Sequence, residues 1–509
     1  MISRRGFIGG VAAGAGLMRG AMQGGKRPNI VFVFSDDHAY QAISCYDGRL
    51  NRTPNIDRIA HEGVRFDNAL VTNSICAPSR AVVLTGKYSH LNGIIDNRQR
   101  FDGSQQTMPK LLRGAGYQTA LFGKWHLQSE PTGFDAWEVL PGQGSYYNPD
   151  FITPTGQKRR EGYVTDITTD LSLDWLNSRD KARPFLLMCQ HKAPHRNWCP
   201  APEKLHLYDG VKFPEPENLF DNYEHRASPA HKQAMEIDRH MRLGMDLKVA
   251  GEGADLQGPV NELKRMNDAQ RRIWEAAYRR KNEEFHAKKL QGRELVRWKY
   301  QRYLQDYLGC IASVDDSVGR ILNWLDATGE AENTIVVYNS DQGFYLGEHG
   351  WFDKRWIYEE SLRSPMLARW PGVIKPGRVA KEMVANLDLA ETFLDAAGVA
   401  VPADMQGRSM TPILKGESPA DWRKSFYYHY YEGGEHEVTR HCGVRAPRYT
   451  LAHFYESDEW ELFDREKDPK QMRSVYGEAA YAGVVKELKA EMGRLKAELK
   501  VPEKDPDKQ

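Results

Sequence analysis

The chain has 509 residues, a length that suits one large domain with a smaller companion or two to three domains, and its 40% hydrophobic and 27% charged residues carry no sign of disorder. Lys and Arg number 70 against 69 Asp and Glu, so global charge steers it toward neither nucleic acid nor membrane, and an anionic ligand must meet a local cluster. Six cysteines (Cys45, Cys76, Cys189, Cys199, Cys310, Cys442) follow no metal or disulfide-framework spacing, although a Cys189–Cys199 bridge is open.

At the start, Ser3-Arg4-Arg5-Gly6-Phe7-Ile8 precedes a Gly/Ala-rich stretch, Gly9 to Met18, too short to span a bilayer. It resembles a twin-arginine export signal, with an ordinary secretory signal as the other reading, and is expected to occupy residues 1–25. No cysteine follows it, so no lipid anchor is expected.

Asn29 to Phe34 is a continuous apolar run, the pattern of a strand buried on both faces, and it ends at Asp36-Asp37. In Cys76-Ala77-Pro78-Ser79-Arg80 a buried cysteine and a proline suit a helix start. A helical pattern over Leu111–Gly116 leads to a strand, Thr119 to Phe122, and then to Gly123-Lys124-Trp125-His126-Leu127. A second apolar run, Pro184 to Cys189, ends at Gln190-His191-Lys192, just before His195. Residues 228–305 are highly charged, with an apolar stripe of Ile273, Trp274, Ala277, Tyr278 and Phe285. They are expected to form a helical insertion packed on the main domain rather than a nucleic-acid surface. A helix through Tyr307, Val314, Val318, Ile321 and Leu325 precedes a third apolar run, Asn333 to Tyr338, which ends at Asp341-Gln342-Gly343. After Phe426 come short strands (426–431, 448–453, 459–463), a helix through Val484, Val485, Leu488, Met492, Leu495 and Leu499, and a frayed tail from Pro502.

Strands alternating with helices imply a mainly parallel sheet covered on both faces, and ligands gather at the carboxyl ends of such strands. Asp36, Asp37, Asp341 and Gln342 then bring three carboxylates and an amide carbonyl to one sheet edge. An all-oxygen set suits calcium and argues against zinc.

Cys76-x-Pro78-Ser79-Arg80 continues into Leu84-Thr85-Gly86 and Tyr88 and, with Gly123-Lys124-Trp125-His126-Leu127, resembles the type I sulfatases. The resemblance implies an α/β, alkaline-phosphatase-like sandwich with a large mainly parallel sheet. It divides the chain into a catalytic domain over residues 26–425 and a smaller C-terminal α+β subdomain over 426–509. It makes Cys76 the nucleophile after oxidation to formylglycine by a formylglycine-generating or anaerobic sulfatase-maturating enzyme. It assigns Asp36, Asp37, Asp341 and Gln342 to Ca2+, although many relatives carry Asn or His where Gln342 stands. Arg80, Lys124, His126, His195 and Lys354 would bind sulfate and move protons.

Asp353-Lys354-Arg355 followed by Tyr358-Glu359 resembles the glucosamine-6-sulfatase branch. It points to an exo-acting N-acetylglucosamine-6-O-sulfatase; the leader implies export without a stable membrane anchor, and the charge balance implies no nucleic-acid partner. Asp353 and Arg355 would flank the sulfate lysine at the pocket rim. The polar connection from Glu432 to His441, with Glu435, His436, Arg440 and His441, could reach the sugar from above. The alternatives are a uronate 2-O-sulfatase, a phosphonate or phosphate monoester hydrolase of the same superfamily, and an inactive sulfated-glycan-binding protein.

Overall fold

The computed structural model describes residues 26–251 and 258–506; the paired arginines and the apolar leader lie outside the described residues. Ten strands build the main sheet: β1 (Asn29–Ser35), β2 (Val64–Phe66), β3 (Gln118–Lys124), β4 (Ala136–Leu140), β5 (Asp150–Thr153), β6 (Gly156–Arg159), β7 (Phe185–Gln190), β8 (Thr334–Ser340), β9 (Met366–Arg369) and β10 (Arg378–Ala380). Their order is β10-β2-β9-β8-β1-β7-β3-β4-β5-β6. The five central strands, β8-β1-β7-β3-β4, are all parallel, so their carboxyl ends share one edge.

The apolar runs become central strands because both of their faces are covered. Val31 and Val33 of β1 pack into a core with Ile167 and Leu176 of helix α2 (Val164–Ser178) and with Tyr307, Ile311 and Val314 of helix α4 (Gly292–Ala327). Ile30, Phe32 and Phe34 face the opposite core. There they meet Ala81, Val83 and Leu84 of helix α1 (Cys76–Thr85) and Phe393 of helix α5 (Leu389–Ala396). The charged region before α4 is helical only in part: 233–250 run as turns, and helix α3 spans Asp268–Lys288. Its expected stripe holds at Trp274, Ala277 and Tyr278, but Ile273 is 47% exposed, because it lies on the solvent side of α3.

The C-terminal part is an antiparallel sheet of β11 (Phe426–Tyr430), β12 (His441–Arg445), β13 (Tyr449–Phe454) and β14 (Glu459–Asp464), backed by helix α6 (Ala482–Glu498). Leu488, Met492 and Leu495 of α6 are the buried contacts. β12, not anticipated from the sequence, pairs with both β11 and β13. The tail is not frayed through residue 506, since Asp505 accepts a hydrogen bond from Tyr455 Oη at 2.8 Å. Cys189 and Cys199 are both free thiols, so the possible bridge is absent. Cys189 Sγ lies 3.6 Å from His191, and Cys199 Sγ lies 3.8 Å from the Asn197 carbonyl. No helix among the described residues is long and apolar enough to cross a membrane.

Glu359 ties the two parts together. It is buried, with Arg445 of β12 at 3.1 Å, Arg465 at 3.4 Å and Arg363 at 3.9 Å. Burial alone would raise its carboxyl, but these arginines outweigh it and lower it from 4.5 to about 2. A depressed carboxylate contributes its stability above pH 4.5 and loses it as pH falls through 2. Glu359→Gln is therefore expected to destabilise the protein by about 3 kcal/mol at pH 7. Urea titrations should show that gap shrinking between pH 4.5 and 2; a gap that does not change with pH would contradict the assignment.

Candidate active site

Four neighbouring strand ends deliver the site. β1 runs into Asp36-Asp37, β8 into Asp341-Gln342, β7 ends on Gln190 and β3 on Lys124. Ser35 pairs with Ser340 and Phe34 with Gln190, so the residues just beyond these strands must converge. Gly123 (φ 103°) allows β3 to press against β7: a Cβ there would lie 1.9 Å from the Gln190 carbonyl oxygen, so no other residue fits.

Helix α1 points its N-terminus at this edge. Ile75 is extended (φ −146°, ψ 156°), Cys76 opens the helix, and all ten of its residues are buried. Unpaired amide dipoles at such an end favour negative charge beside residue 76. Cys76 Sγ donates to Asp36 Oδ1 at 3.2 Å, and ligand atoms of Asp36, Cys76 and His195 lie within 4.8 Å of one another. Burial and the nearby Asp36 push the thiol well above its usual range, so unmodified Cys76 is a poor thiolate nucleophile.

Three cations face three carboxylates here. Arg80 Nη2 donates to Asp341 Oδ2 at 3.0 Å, while its Nη1 bridges the Lys124 carbonyl and Gln190 Oε1, both at 2.9 Å. Lys124 Nζ donates to Asp36 and to Gln143, and Lys354 Nζ donates to Asp37 at 2.8 Å. Burial raises Asp36, but Lys124, His195 and Arg80 outweigh it and hold the carboxyl well below its usual range. Burial, opposed by Lys354 and reinforced by Asp36, pushes Asp37 up to about 6. Burial and Asp36 also push Asp341 well up.

Oxygen atoms of Asp36, Asp37 and Asp341 lie within 4.8 Å of one another. Gln342 Nε2 donates to Asp37, leaving its buried Oε1 without a partner. Three crowded carboxylates and an orphaned carbonyl oxygen form a donor set that fits a hard divalent cation.

The histidines are kept neutral. Burial, then Lys124, lowers both His126 and His195 well below the ordinary imidazole value. His195 Nδ1 contacts the Arg196 carbonyl at 2.7 Å, which leaves Nε2 facing Asp37 at 3.8 Å. His126 Nδ1 is buried and unpaired. His191 turns away, to Ser317 Oγ at 2.9 Å.

Above this floor lies a cavity of about 860 Å³. Asp353, Lys354 and Arg355 all line it, which corrects the expectation that Asp353 and Arg355 sit at the rim: each is only 4% exposed. The reason is backbone geometry. Asp353 (φ 82°) and Arg355 (φ 89°) are left-handed, which breaks the alternation that would send neighbours to opposite sides. Arg355 pairs with Asp353 at 3.1 Å and Glu432 at 2.5 Å, and His436 Nε2 lies 3.4 Å from Asp353. Glu435 and His436 reach the cavity. Arg440 instead turns to Asp505, and His441 accepts from the Ile357 amide.

Gln143 and Arg196 line the cavity and were not singled out from the sequence; Lys192 and Glu432, named there only within a strand end and a polar connection, line it too. Gln143 and Glu432 stand beside Gly142-x-Gly144 and Gly433-Gly434, turns whose polar residues could have been flagged.

A parallel sheet whose strand ends present crowded carboxylates, buried cations and a helix N-terminus suits an enzyme that works on oxyanion esters. Residues 28–399 match the sulfatase family, and residues 347–498 match the C-terminal region of N-sulphoglucosamine sulphohydrolase. The chain is 50% identical to N-acetylglucosamine-6-O-sulfatase of Bacteroides thetaiotaomicron over 493 residues, covering 95% of this chain and 88% of that protein. It is 28% identical to human N-acetylglucosamine-6-sulfatase over 456 residues, covering 84% and 72%. The structure of BT4656 with its substrate D-glucosamine-2-N,6-O-disulfate superposes with a TM-score of 0.92 at 48% identity, covering 95% of this chain and all of that one. A phosphonate monoester hydrolase from Silicibacter pomeroyi, 20% identical with a TM-score of 0.69, shares the fold.

The chain belongs to the sulfatase family and is a sulfuric ester hydrolase with the alkaline-phosphatase-like fold. That family generally uses formylglycine and Ca2+.

Proposed function

We propose that this sulfatase removes the 6-O-sulfate from a terminal N-acetylglucosamine, or from an N-sulfated glucosamine, at the end of a sulfated glycan. The observation that carries the reading is that Asp353 and Arg355 line the same cavity as Lys354, braced by His436 and Glu432. Two relatives named as acting on 6-sulfated glucosamine support it.

Oxidised to formylglycine and hydrated, residue 76 would supply one hydroxyl to attack sulfur as the ester S–O bond breaks, with Asp36, which already accepts from this side chain, placed to take its proton. Deprotonation of the second hydroxyl would re-form the aldehyde and expel sulfate. Calcium held by Asp36, Asp37, Asp341 and Gln342 would supply positive charge to a sulfate oxygen. Lys124 and Lys354 hold the other oxygens, and Arg80 keeps residue 76 and Asp341 in register. Fixed cations aimed at charge that grows on attack contribute most to the rate, with each donor worth roughly 10²–10³. His195 Nε2 faces the leaving C6 oxygen. Its resting neutral form gains a proton more readily beside an anionic ester, and that proton passes to the departing alkoxide. His126 Nδ1 takes the proton whose removal frees the sulfate. Asp353 and Arg355 hydrogen-bond ring hydroxyls, and a site built that way rejects sugars with those groups misplaced. The paired arginines near the N-terminus support export of the folded chain, with residue 76 oxidised beforehand by a formylglycine-generating or anaerobic maturating enzyme.

The test is turnover of 6-sulfated N-acetylglucosamine against 2-sulfated uronic acid, 4- and 6-sulfated galactose and a phosphate monoester. The first is expected to be preferred; a preference for the uronate would overturn the sugar assignment. Because Asp353 is buried and paired, Asp353→Ala would damage the fold as well as the site. Asp353→Asn keeps the shape and should lower kcat/KM roughly 10–100-fold, the loss of one charged hydrogen bond. Unchanged efficiency in Asp353→Asn would contradict its contact with sugar.

A further inference from the structure

Among the described residues, the cations that line the cavity above Cys76 already have a carboxylate, with one exception. Lys354 pairs with Asp37 at 2.8 Å, Arg355 with Asp353 and Glu432, and Arg196 with the two oxygens of Asp246 at 2.7 and 2.6 Å. Exposed Arg98 reaches Asp96 at 4.0 Å. Lys192 lines the same cavity and is only 3% exposed, yet its ammonium has no ion pair and donates no hydrogen bond among the described residues.

Lys192 stands two residues beyond β7, and its Nζ lies 4.8 Å over the Tyr146 ring. That packing does not seal the ammonium away from the cavity. Glu262 is the carboxylate that most favours its charge, but it lies beyond ion-pairing distance and accepts instead from the Tyr146 and Tyr147 amides at 3.0 and 3.2 Å. Asp36, next in influence, is held by Lys124. Lys124 is also the like charge that presses most on Lys192, which sets this amine near the sulfate floor. Burial, then Lys124, lowers the Lys192 pKa from its ordinary value. A buried ammonium in that position lacks a counter-ion, and an anion on a ligand would supply it.

A sugar fixed by its 6-sulfate on the floor and by ring hydroxyls on Asp353 and Arg355 turns its other substituents to the wall that those residues do not form. Lys192 and Glu262 belong to that wall. We propose that Lys192 is a second anion contact in this cavity, which takes the N-sulfate on C2 of a glucosamine whose 6-O-sulfate is hydrolysed. The proposal rests on the glucosamine reading above and names the residue that selects between its two sugars: an N-sulfate offers the ammonium a charged partner, an N-acetyl group only a neutral carbonyl.

The test measures kcat/KM of wild type and Lys192→Met with glucosamine 2-N,6-O-disulfate and with N-acetylglucosamine 6-sulfate. Lys192→Met keeps an unbranched chain against Tyr146 and removes the charge. It is expected to lower efficiency with the N-sulfated sugar about tenfold more than with the N-acetylated one, mostly through KM. Equal losses on both sugars, or no loss on the N-sulfated one, would overturn the role of Lys192 and leave the glucosamine reading in place. Turnover of neither sugar by fully converted wild type would overturn that reading, and the proposal with it. If Lys192→Met fails to fold, crystals of Cys76→Ala soaked in the disulfate decide the matter. N-sulfate density within about 3 Å of Lys192 Nζ is expected, and its absence there would overturn the proposal.

Discussion

Cys76→Ala is expected to abolish sulfate release, by roughly 10⁵-fold or more, as loss of a covalent nucleophile does elsewhere. The fold should survive. Cys76 is buried, but its side chain is small, and trimming one sulfur atom from the start of α1 costs about 1 kcal/mol. The flanking contacts that hold α1, the Ala77 amide on Asn97 at 3.0 Å and the Ser79 amide on the Ile75 carbonyl at 3.1 Å, do not involve the thiol. An aldehyde-reactive probe should label active wild-type enzyme at residue 76 and leave the variant unlabelled. A fully active alanine variant would remove residue 76 from the chemistry.

Chelation should have an effect of similar size. Asp36, Asp37 and Asp341 are wholly buried, and Lys124, Lys354 and Arg80 offset their mutual repulsion. Two of them, Lys124 and Lys354, are the cations the proposed mechanism requires for the substrate. A divalent ion among the carboxylates would free the amines to turn toward sulfate, whereas here they are bound as counter-ions. Dialysis against a calcium chelator is expected to remove about one calcium per chain, abolish turnover and lower Tm. Readdition at about 100 times Kd should restore activity and roughly 3 kcal/mol of stability. Gln342→Leu keeps the bulk but removes the orphaned oxygen, and should weaken calcium binding severalfold. Undiminished turnover by a preparation shown metal-free by elemental analysis would contradict the ligand set.

The floor of the site was legible because it is made by rules that act locally. Runs such as Asn29–Phe34 carry the pattern of strands covered on both faces, and a parallel sheet gathers the residues beyond the carboxyl ends of such strands at one edge. Asp36, Lys124, Gln190 and Asp341 meet for that reason. The cavity above was less legible. Asp353 and Arg355 read as rim residues because regular alternation would turn them away from Lys354, and two left-handed backbone positions overturn it. Glu432, which anchors Arg355, comes from the end of β11, and nothing between residues 355 and 432 announces that pairing. β12 was missed because His441-Cys442-Gly443 is a weak strand sequence. Its Gly443 is required by packing, since a Cβ there would lie 2.2 Å from the Leu451 carbonyl oxygen.

The central claim is that residue 76, oxidised, attacks the sulfur of a glucosamine 6-sulfate and that water later reaches only that residue. The most direct measurement is hydrolysis of N-acetylglucosamine 6-sulfate in H2(18)O by enzyme whose formylglycine content has been verified by peptide mass. Cleavage of the S–O bond predicts heavy oxygen in the released sulfate and none at C6 of the sugar. Heavy oxygen on the sugar, or no hydrolysis by fully converted enzyme, would contradict it.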